Sequence, residues 1–483
     1  MSIAIIIYGI AIMPALAMAV RYNESGVIES MAAIAVVCIP IGLVVHTYLP
    51  NDISNVKLSV CYMTTLMTWV AVILLTSLPY YFADRDYSYI DCLFEAVASW
   101  TTTGASAIAT ETLPVSLKIW RAICNWMGGI GIILLTLSFL PSWQFVGQKL
   151  ASTEIRGPRF LMSNMTFRKA YRRIIILYSG LTVVHYVLLR LSGMAQLKSL
   201  LTALSNISTS GLQHFGNGFI AGLPLSQKII ITVFAFLGSV NISACILLIS
   251  RKFRNFLNQS ELKMYILIIA VATVLISLST WLNNTTINIA SYIGNVFMQV
   301  ISFASTAGYI VTDCIRWSTF NTCLVCMLMF IGACAISTGG GLKVSRIVYA
   351  FKSLSLNLYT HVHPNSVRTI LYNKKPAASN EIRRSNVYIA VFMLLYLIGG
   401  ILITVDGTDA FSALSYSQAM LTNVGTPITQ LADPNIVSSM STYSKSIMCL
   451  LMLCGRLEIY PVMMIFSFKQ WTSTGHTIKK KFN

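Results

Sequence analysis

The chain has 483 residues, 55% of them hydrophobic and only 10% charged, against roughly 25% charged in a soluble globular domain, and its mean hydropathy is +0.70. That composition excludes a water-soluble enzyme of this length, which would carry more charge on its surface. The net charge of +18, from 34 Lys and Arg against 16 Asp and Glu, fits either a nucleic-acid binder or the positive-inside bias of a polytopic membrane protein, and the placement of the charges separates the two.

In chain order, apolar runs fall at 2–20, 30–49, 58–82, 119–141, 170–192, 227–250, 262–282, 319–350, 386–405 and 443–468. Each is close to the roughly 20 residues that cross a bilayer as a helix, so an all-α polytopic membrane protein with ten transmembrane helices is expected. The first run is read as a span and not a cleaved leader, because it is long and lacks a basic start. Four amphipathic segments, 88–100, 194–206, 289–303 and 408–421, are too short and too polar to cross. They are read as re-entrant half-helices or surface helices, with Ser88, Asn288 and Thr408 as N-caps.

Each short segment ends in a similar tetrapeptide: Thr101-Thr102-Thr103-Gly104, Ser208-Thr209-Ser210-Gly211, Ser305-Thr306-Ala307-Gly308 and Thr422-Asn423-Val424-Gly425. The glycines stand 107, 97 and 117 residues apart, which reads as a fourfold internal repeat. Residues 51–149, 150–256, 257–385 and 386–483 are the repeats, preceded by two extra helices in 1–50. With the amino terminus inside, the inner segments hold 24 basic residues and four acids, net +20, while the outer segments net −2. One orientation, with both termini cytoplasmic, thus accounts for the charge through loop asymmetry, and no nucleic-acid partner is needed.

A half-helix that enters from outside points its carbonyl end, with a partial negative charge, into the membrane. Four such ends aimed at one axis favour a cation. The backbone carbonyls that follow can replace its water, and irregular backbone at this depth is tolerated only where it lines such a cavity. The hydroxyls of Thr102, Thr103, Thr209, Ser210 and Thr306 add neutral oxygens. No carboxylate occurs in the tetrapeptides, so a monovalent cation is favoured over a divalent one.

On these loops the sequence resembles the Trk/Ktr/HKT superfamily of potassium transporters, and within it the TrkH/TrkG ion-translocating branch, which also has two extra amino-terminal spans. The strings Trp126-Met127-Gly128-Gly129-Ile130-Gly131, Ser337-Thr338-Gly339-Gly340-Gly341-Leu342-Lys343-Val344, Val362-His363-Pro364 and Gly455-Arg456-Leu457-Glu458-Ile459 carry the same resemblance. It implies one pore built from four pseudo-equivalent repeats, a selectivity filter from the tetrapeptides (Thr102 to Gly104, Thr209 to Gly211, Thr306 to Gly308, Asn423 to Gly425), and a homodimer. It also implies a cytosolic nucleotide-binding regulatory subunit of the TrkA type and a bacterial inner-membrane location. Four filter glycines imply potassium as the transported ion. Three departures stand out: Thr426-Pro427 after Gly425 where Pro-Gly is usual, Leu212 in place of a common Phe, and Ile336 where a Gly is usual.

The run 319–350 cannot be one regular helix, because Gly339, Gly340 and Gly341 interrupt it at about 1 kcal/mol each. A mobile intramembrane loop formed by Ser337 to Gly341 is the expected gate, the alternative being a glycine hinge for tight helix packing. Arg456, within an apolar run, is costly there and marks function. It either donates to the loop carbonyls and holds the gate shut, or pairs with Glu458 or another acid, or snorkels. Lys343 either acts with it or marks the inner membrane edge. No Walker or dinucleotide-binding glycine pattern is present, so no organic cofactor is expected. His185 is read as packed, and Cys323-x-x-Cys326 and His361-x-His363 lack further ligands. Potassium uptake without covalent chemistry is the leading reading. A sodium-permeable or proton-coupled symporter on the same fold is the alternative, and a polytopic membrane enzyme or lipid transferase would be the alternative of another class.

Overall fold

The computed structural model describes residues 2–48, 58–83, 87–131, 167–211, 214–216, 218–249, 253–283, 289–311, 317–366, 368–373, 375–428 and 436–463. Along these residues the helices are α1 Ser2–Ala11, α2 Met13–Tyr22, α3 Ser25–Tyr48, α4 Leu58–Ala83, α5 Tyr89–Trp100, α6 Val115–Ile130, α7 Phe167–Leu191, α8 Gln196–Ile207, α9 Leu225–Ser239 and α10 Ile242–Ile249. They continue as α11 Phe253–Leu257, α12 Ser260–Asn283, α13 Ile289–Ala304, α14 Thr319–Ile331, α15 Val344–Val362, α16 Ser379–Ile403, α17 Ala410–Leu421, α18 Ile436–Ser439, α19 Thr442–Arg456 and α20 Ile459–Met463. The chain is thus mostly helical. A two-residue antiparallel ladder, Leu371–Tyr372 with Lys375–Pro376, departs from the purely helical expectation.

Six stretches are long and apolar enough to cross a bilayer: Ser2–Tyr22, Ser25–Tyr48, Ser59–Ala83, Arg172–Leu191, Ser260–Leu282 and Ser379–Asp406. They coincide with six of the ten expected spans. The other four expected spans are not continuous helices among the described residues. In each, a helix of 13 to 16 residues (α6, α9, α14, α19) follows a tetrapeptide and then stops. The stops fall at Gly131 (φ 93°), at Val240, at Gly332 (φ 66°) and at Leu457, next to Glu458 (φ 58°).

The four short helices α5, α8, α13 and α17 begin and end within two residues of the segments expected from sequence. Ser88 caps α5 by accepting from the Asp91 amide at 3.3 Å. The fourth is capped by Asp409 and not by Thr408: its carboxylate accepts from the Ser412 amide at 3.0 Å, and hydrogen bonds from the Ser412 side chain and then its amide hold it below the usual carboxylate range. Asn288 lies outside the described residues. The first short helix is locked by aromatic packing. Trp100 donates to Thr76 Oγ1 of α4 at 2.8 Å and packs edge-on against Trp69, with Tyr8 of α1 against Trp100 and Trp120. All four rings are buried.

Candidate functional site

The short helices α5, α8, α13 and α17 end alike. At each C-terminus the second tetrapeptide residue is left-handed: Thr102 (φ 57°), Thr209 (54°), Thr306 (61°) and Asn423 (55°). Its amide bonds back to a carbonyl three residues earlier, at 2.9 to 3.2 Å. The next amide, of Thr103, Ser210, Ala307 or Val424, bonds five residues back, at 2.9 to 3.0 Å. This pair of bonds is the Schellman motif that closes helix carbonyl ends. Threonine accepts the left-handed region at a cost in strain, so its presence in three of four loops is a built feature. The glycines follow in the same hand: Gly104 (φ 81°), Gly211 (57°), Gly308 (69°) and Gly425 (78°).

The loops meet one another. A Cβ on Gly211 would fall on Ala307 O, one on Gly308 on Val424 O, and one on Gly425 on Thr103 O. Only glycine permits these approaches. Thr426, one of the departures, donates its hydroxyl to Gly308 O at 2.7 Å, and Asn423 Nδ2 donates to Thr103 Oγ1 at 3.0 Å. Leu212 lies outside the described residues.

The segment between α14 and α15 leaves the helix at Gly332 and returns beside it. Leu342, Lys343 and Val344 amides bond to Phe330, Ile331 and Ala333 carbonyls at 2.9 to 3.1 Å. The excursion between them touches the second, third and fourth loops directly, and the first through Arg456. Thr338 Oγ1 bonds to Ile207 O at 3.2 Å and Gly238 O at 2.9 Å, and lies 3.4 Å from Thr209 Oγ1. The Gly340 amide donates to Thr306 Oγ1 at 2.7 Å, and the Gly341 amide to Thr422 O at 3.0 Å. Arg456 connects the first loop: Nη1 donates to Thr338 O at 2.8 Å and Thr102 Oγ1 at 3.1 Å, while Nη2 donates to Gly129 O at 2.9 Å and to Gly128 O. Glu458 pairs with Arg346 at 2.6 Å. Arg456 therefore meets loop carbonyls, and the acid two residues away is engaged by another cation.

Lys343 is buried, with Nζ 2.5 Å from Gly339 O and 3.3 Å from Ser337 Oγ. It belongs to the loop and not to a membrane edge. The loop's other anchor is Glu261, which accepts from the Ala335 amide at 2.6 Å and from Asn241 at 3.3 Å. Ile336 is left-handed (φ 53°), a conformation that a β-branched residue strongly disfavours, and its carbonyl accepts from the Ile242 amide at 3.1 Å. Sequence reading named Ile336 as unusual but did not see this strain.

The tetrapeptide hydroxyls were expected to add oxygens for a cation. In the described conformation the hydroxyls of Thr102, Thr103, Thr209 and Thr306 each bond to a protein partner, as given above and through Thr101 Oγ1 and Ser208 O. Ser210 Oγ has no hydrogen-bond partner among the described residues. Glu95 and Arg121, which fall in outer segments by sequence position, are wholly buried and paired at 2.8 Å. Lys445, which likewise falls in an outer segment, is buried on Asp91 at 2.6 Å. His185 is buried and stacks on Phe234 with ring centres 4.4 Å apart. Cys323 and His363 are exposed, and no group of three metal-binding side chains occurs among the described residues.

A family model described as TrkH, cation transport protein, matches residues 30–473. The chain belongs to the TrkH family. The Trk system potassium uptake protein TrkH of Salmonella typhimurium is 28% identical over 417 residues, covering 85% of each chain. Trk system potassium uptake protein TrkG of Escherichia coli strain K12 is 26% identical over 413 residues, covering 84% of each. In three dimensions the TrkH family fold is evident. The crystal structure of the potassium transporter TrkH from Vibrio parahaemolyticus superposes with a TM-score of 0.84 at 22% identity, over 97% of this chain and 98% of that one.

Proposed function

We propose that this chain is the pore-forming, ion-translocating subunit of a Trk-type potassium uptake system of the bacterial inner membrane. Its four repeats, 51–149, 150–256, 257–385 and 386–483, surround one path, and both termini are cytoplasmic. The observation that carries the reading is the recurrence of one loop geometry at four places that abut one another, with a glycine-rich loop bound against them. Helix C-termini converging on that point favour a cation by ~0.3–1 kcal/mol each at exposed sites and more when buried. The backbone carbonyls of the loops are the main ligands that replace the ion's water, and the threonine hydroxyls, each bonded to protein, hold the loops in place. Ser337 to Gly341, tied down by Lys343 and Arg456, close the path in the conformation described, and Arg456 adds a positive charge beside it. The working unit is a homodimer whose basic cytosolic face docks a nucleotide-binding subunit of the TrkA type.

The test is growth of a potassium-uptake-deficient bacterium at low external potassium, together with potassium and sodium fluxes of purified, folded wild type and Gly308→Ser in proteoliposomes. Wild type restores growth. Gly308→Ser places its Cβ on Val424 O and lowers the potassium-to-sodium flux ratio. An unchanged ratio removes the filter assignment, and a wild type that carries sodium in preference supports the sodium-permeable alternative.

A further inference from the structure

The extended segment that leaves each loop is tied back to its own short helix by a side chain of that helix. In the third unit Gln299, six residues before Ser305, accepts from the Val311 amide at 2.7 Å and donates to Tyr309 O at 3.0 Å. In the fourth, Ser415 Oγ accepts from the Ile428 amide at 2.8 Å. In the second, Ser205 Oγ lies 2.7 Å from His214 Nε2. In the first, Glu95, six residues before Thr101, gathers three donors on Oε1: the Ala107 amide at 2.9 Å, the Ile108 amide at 3.0 Å and Ser106 Oγ at 2.5 Å. The residues tied, Ala107, His214, Val311 and Ile428, each stand six after the first tetrapeptide residue.

Of these four ties, only the first carries a charge. Glu95 Oε2 faces Arg121 Nη2 at 2.8 Å, and both side chains are fully buried. Arg121 stands seven residues before Gly128. Seven before Gly238, Gly332 and Gly455 stand Ile231, Val325 and Met448, all buried and apolar. The arginine thus replaces an aliphatic residue at one of four corresponding places. A lone buried carboxylate is very costly, and a buried pair gains little over an apolar one unless hydrogen bonds complete it. Here the three donors of the 106–108 segment complete it.

We propose that Glu95, neutralised by Arg121, is a positioning residue for ion selection. It sets where the Thr101–Gly104 loop stands, and with it Thr103 O against Gly425 and Thr103 Oγ1 against Asn423, so it tunes discrimination among alkali cations. This rests on the filter reading above. The third unit shows the same tie made without charge, by Gln299 with Val325 in the place of Arg121. The neutral pair Glu95→Gln with Arg121→Met therefore keeps the acceptor and removes both charges. Glu95→Leu with Arg121→Met also leaves no unpaired charge but deletes the acceptor.

Potassium and sodium fluxes of the full-length chain in proteoliposomes, with thermal unfolding in detergent, decide it. The Gln/Met double keeps the flux ratio within about twofold of wild type, whereas the Leu/Met double lowers it on the order of tenfold. Ser106→Ala, which removes one donor without touching either charge, lowers it by a smaller factor and carries the comparison if the Leu/Met double does not assemble. An unchanged ratio in Ser106→Ala and in an assembled Leu/Met double overturns the proposal. So does a Gln/Met double that fails to assemble or whose ratio falls as far as that of Leu/Met. Gly308→Ser is run in parallel. If it also leaves the ratio unchanged, the filter reading fails; if it shifts the ratio and the Glu95 variants do not, only the role of Glu95 fails.

Discussion

At the tetrapeptides, four chain segments of different sequence adopt one geometry: a left-handed Thr or Asn, a Schellman closure and a left-handed glycine. Where the following helices stop, four segments in corresponding positions adopt four different geometries. The first stops at Gly131, the second bends at Val240 and Asn241, the third opens into the excursion from Gly332 to Lys343, and the fourth turns at Leu457 and Glu458. On the proposed reading, the likeness is what four equal contributions to one coordination site demand. The unlikeness follows from the presence of a single inserted loop. One helix end supplies Ile336 to Gly341, the second receives Ile336 O on the Ile242 amide, the first offers Gly128 O and Gly129 O, and the fourth supplies the Arg456 that binds them. If the loops select the ion and the glycine-rich segment closes the path, as proposed, selection asks for symmetry and closure by one element removes it.

Two substitutions test that contrast from the side of the loop. Gly340→Ala has the larger expected effect. Its Cβ would fall on Thr422 O and stand 3.1 Å from Asn423 Cβ, so the loop cannot seat against the fourth tetrapeptide. Strain of a few kcal/mol raises basal potassium flux more than about tenfold in proteoliposomes with no regulatory subunit. Unchanged flux in a folded variant would show that the seat is not needed for closure. Ile336→Gly acts in the opposite direction and more weakly. Relief of the left-handed isoleucine is worth ~1–2 kcal/mol, offset by up to ~1 kcal/mol from the freer unfolded glycine. Basal flux falls by a few-fold or stays level, and thermal unfolding shifts upward by a degree or more. A higher flux would mean that strain at Ile336 helps hold the loop in place.

Much of the loop half was legible in the sequence. A dozen amphipathic residues ending in Ser/Thr-x-x-Gly specify a short helix with a positive-φ exit through local chemistry alone, and the bounds of α5, α8, α13 and α17 followed to within two residues. The triple glycine likewise announced a break. The bends at 240–241 and 457–458 were not legible, because no glycine or proline run marks them. They are made by tertiary contacts, Ile242 with Ile336 and Glu458 with Arg346. For the same reason the sequence left Arg456 between partners, since the carbonyls it meets come from distant segments. By sequence position Glu95 and Arg121 fall among the outer-segment charges, because nothing local shows that the short helix and the helix after its loop bring the two together. Only the fold reveals that the two neutralise each other in the interior.

The central claim is that Arg456 holds the glycine-rich loop closed. The most direct test is basal potassium flux through purified Arg456→Ala in proteoliposomes, beside wild type and with folding checked by size-exclusion profile. Loss of its bonds to Thr338 O, Thr102 Oγ1, Gly128 O and Gly129 O removes roughly 1 kcal/mol or more for each, and the account predicts a flux well above that of wild type. A folded Arg456→Ala protein with equal or lower flux would contradict it.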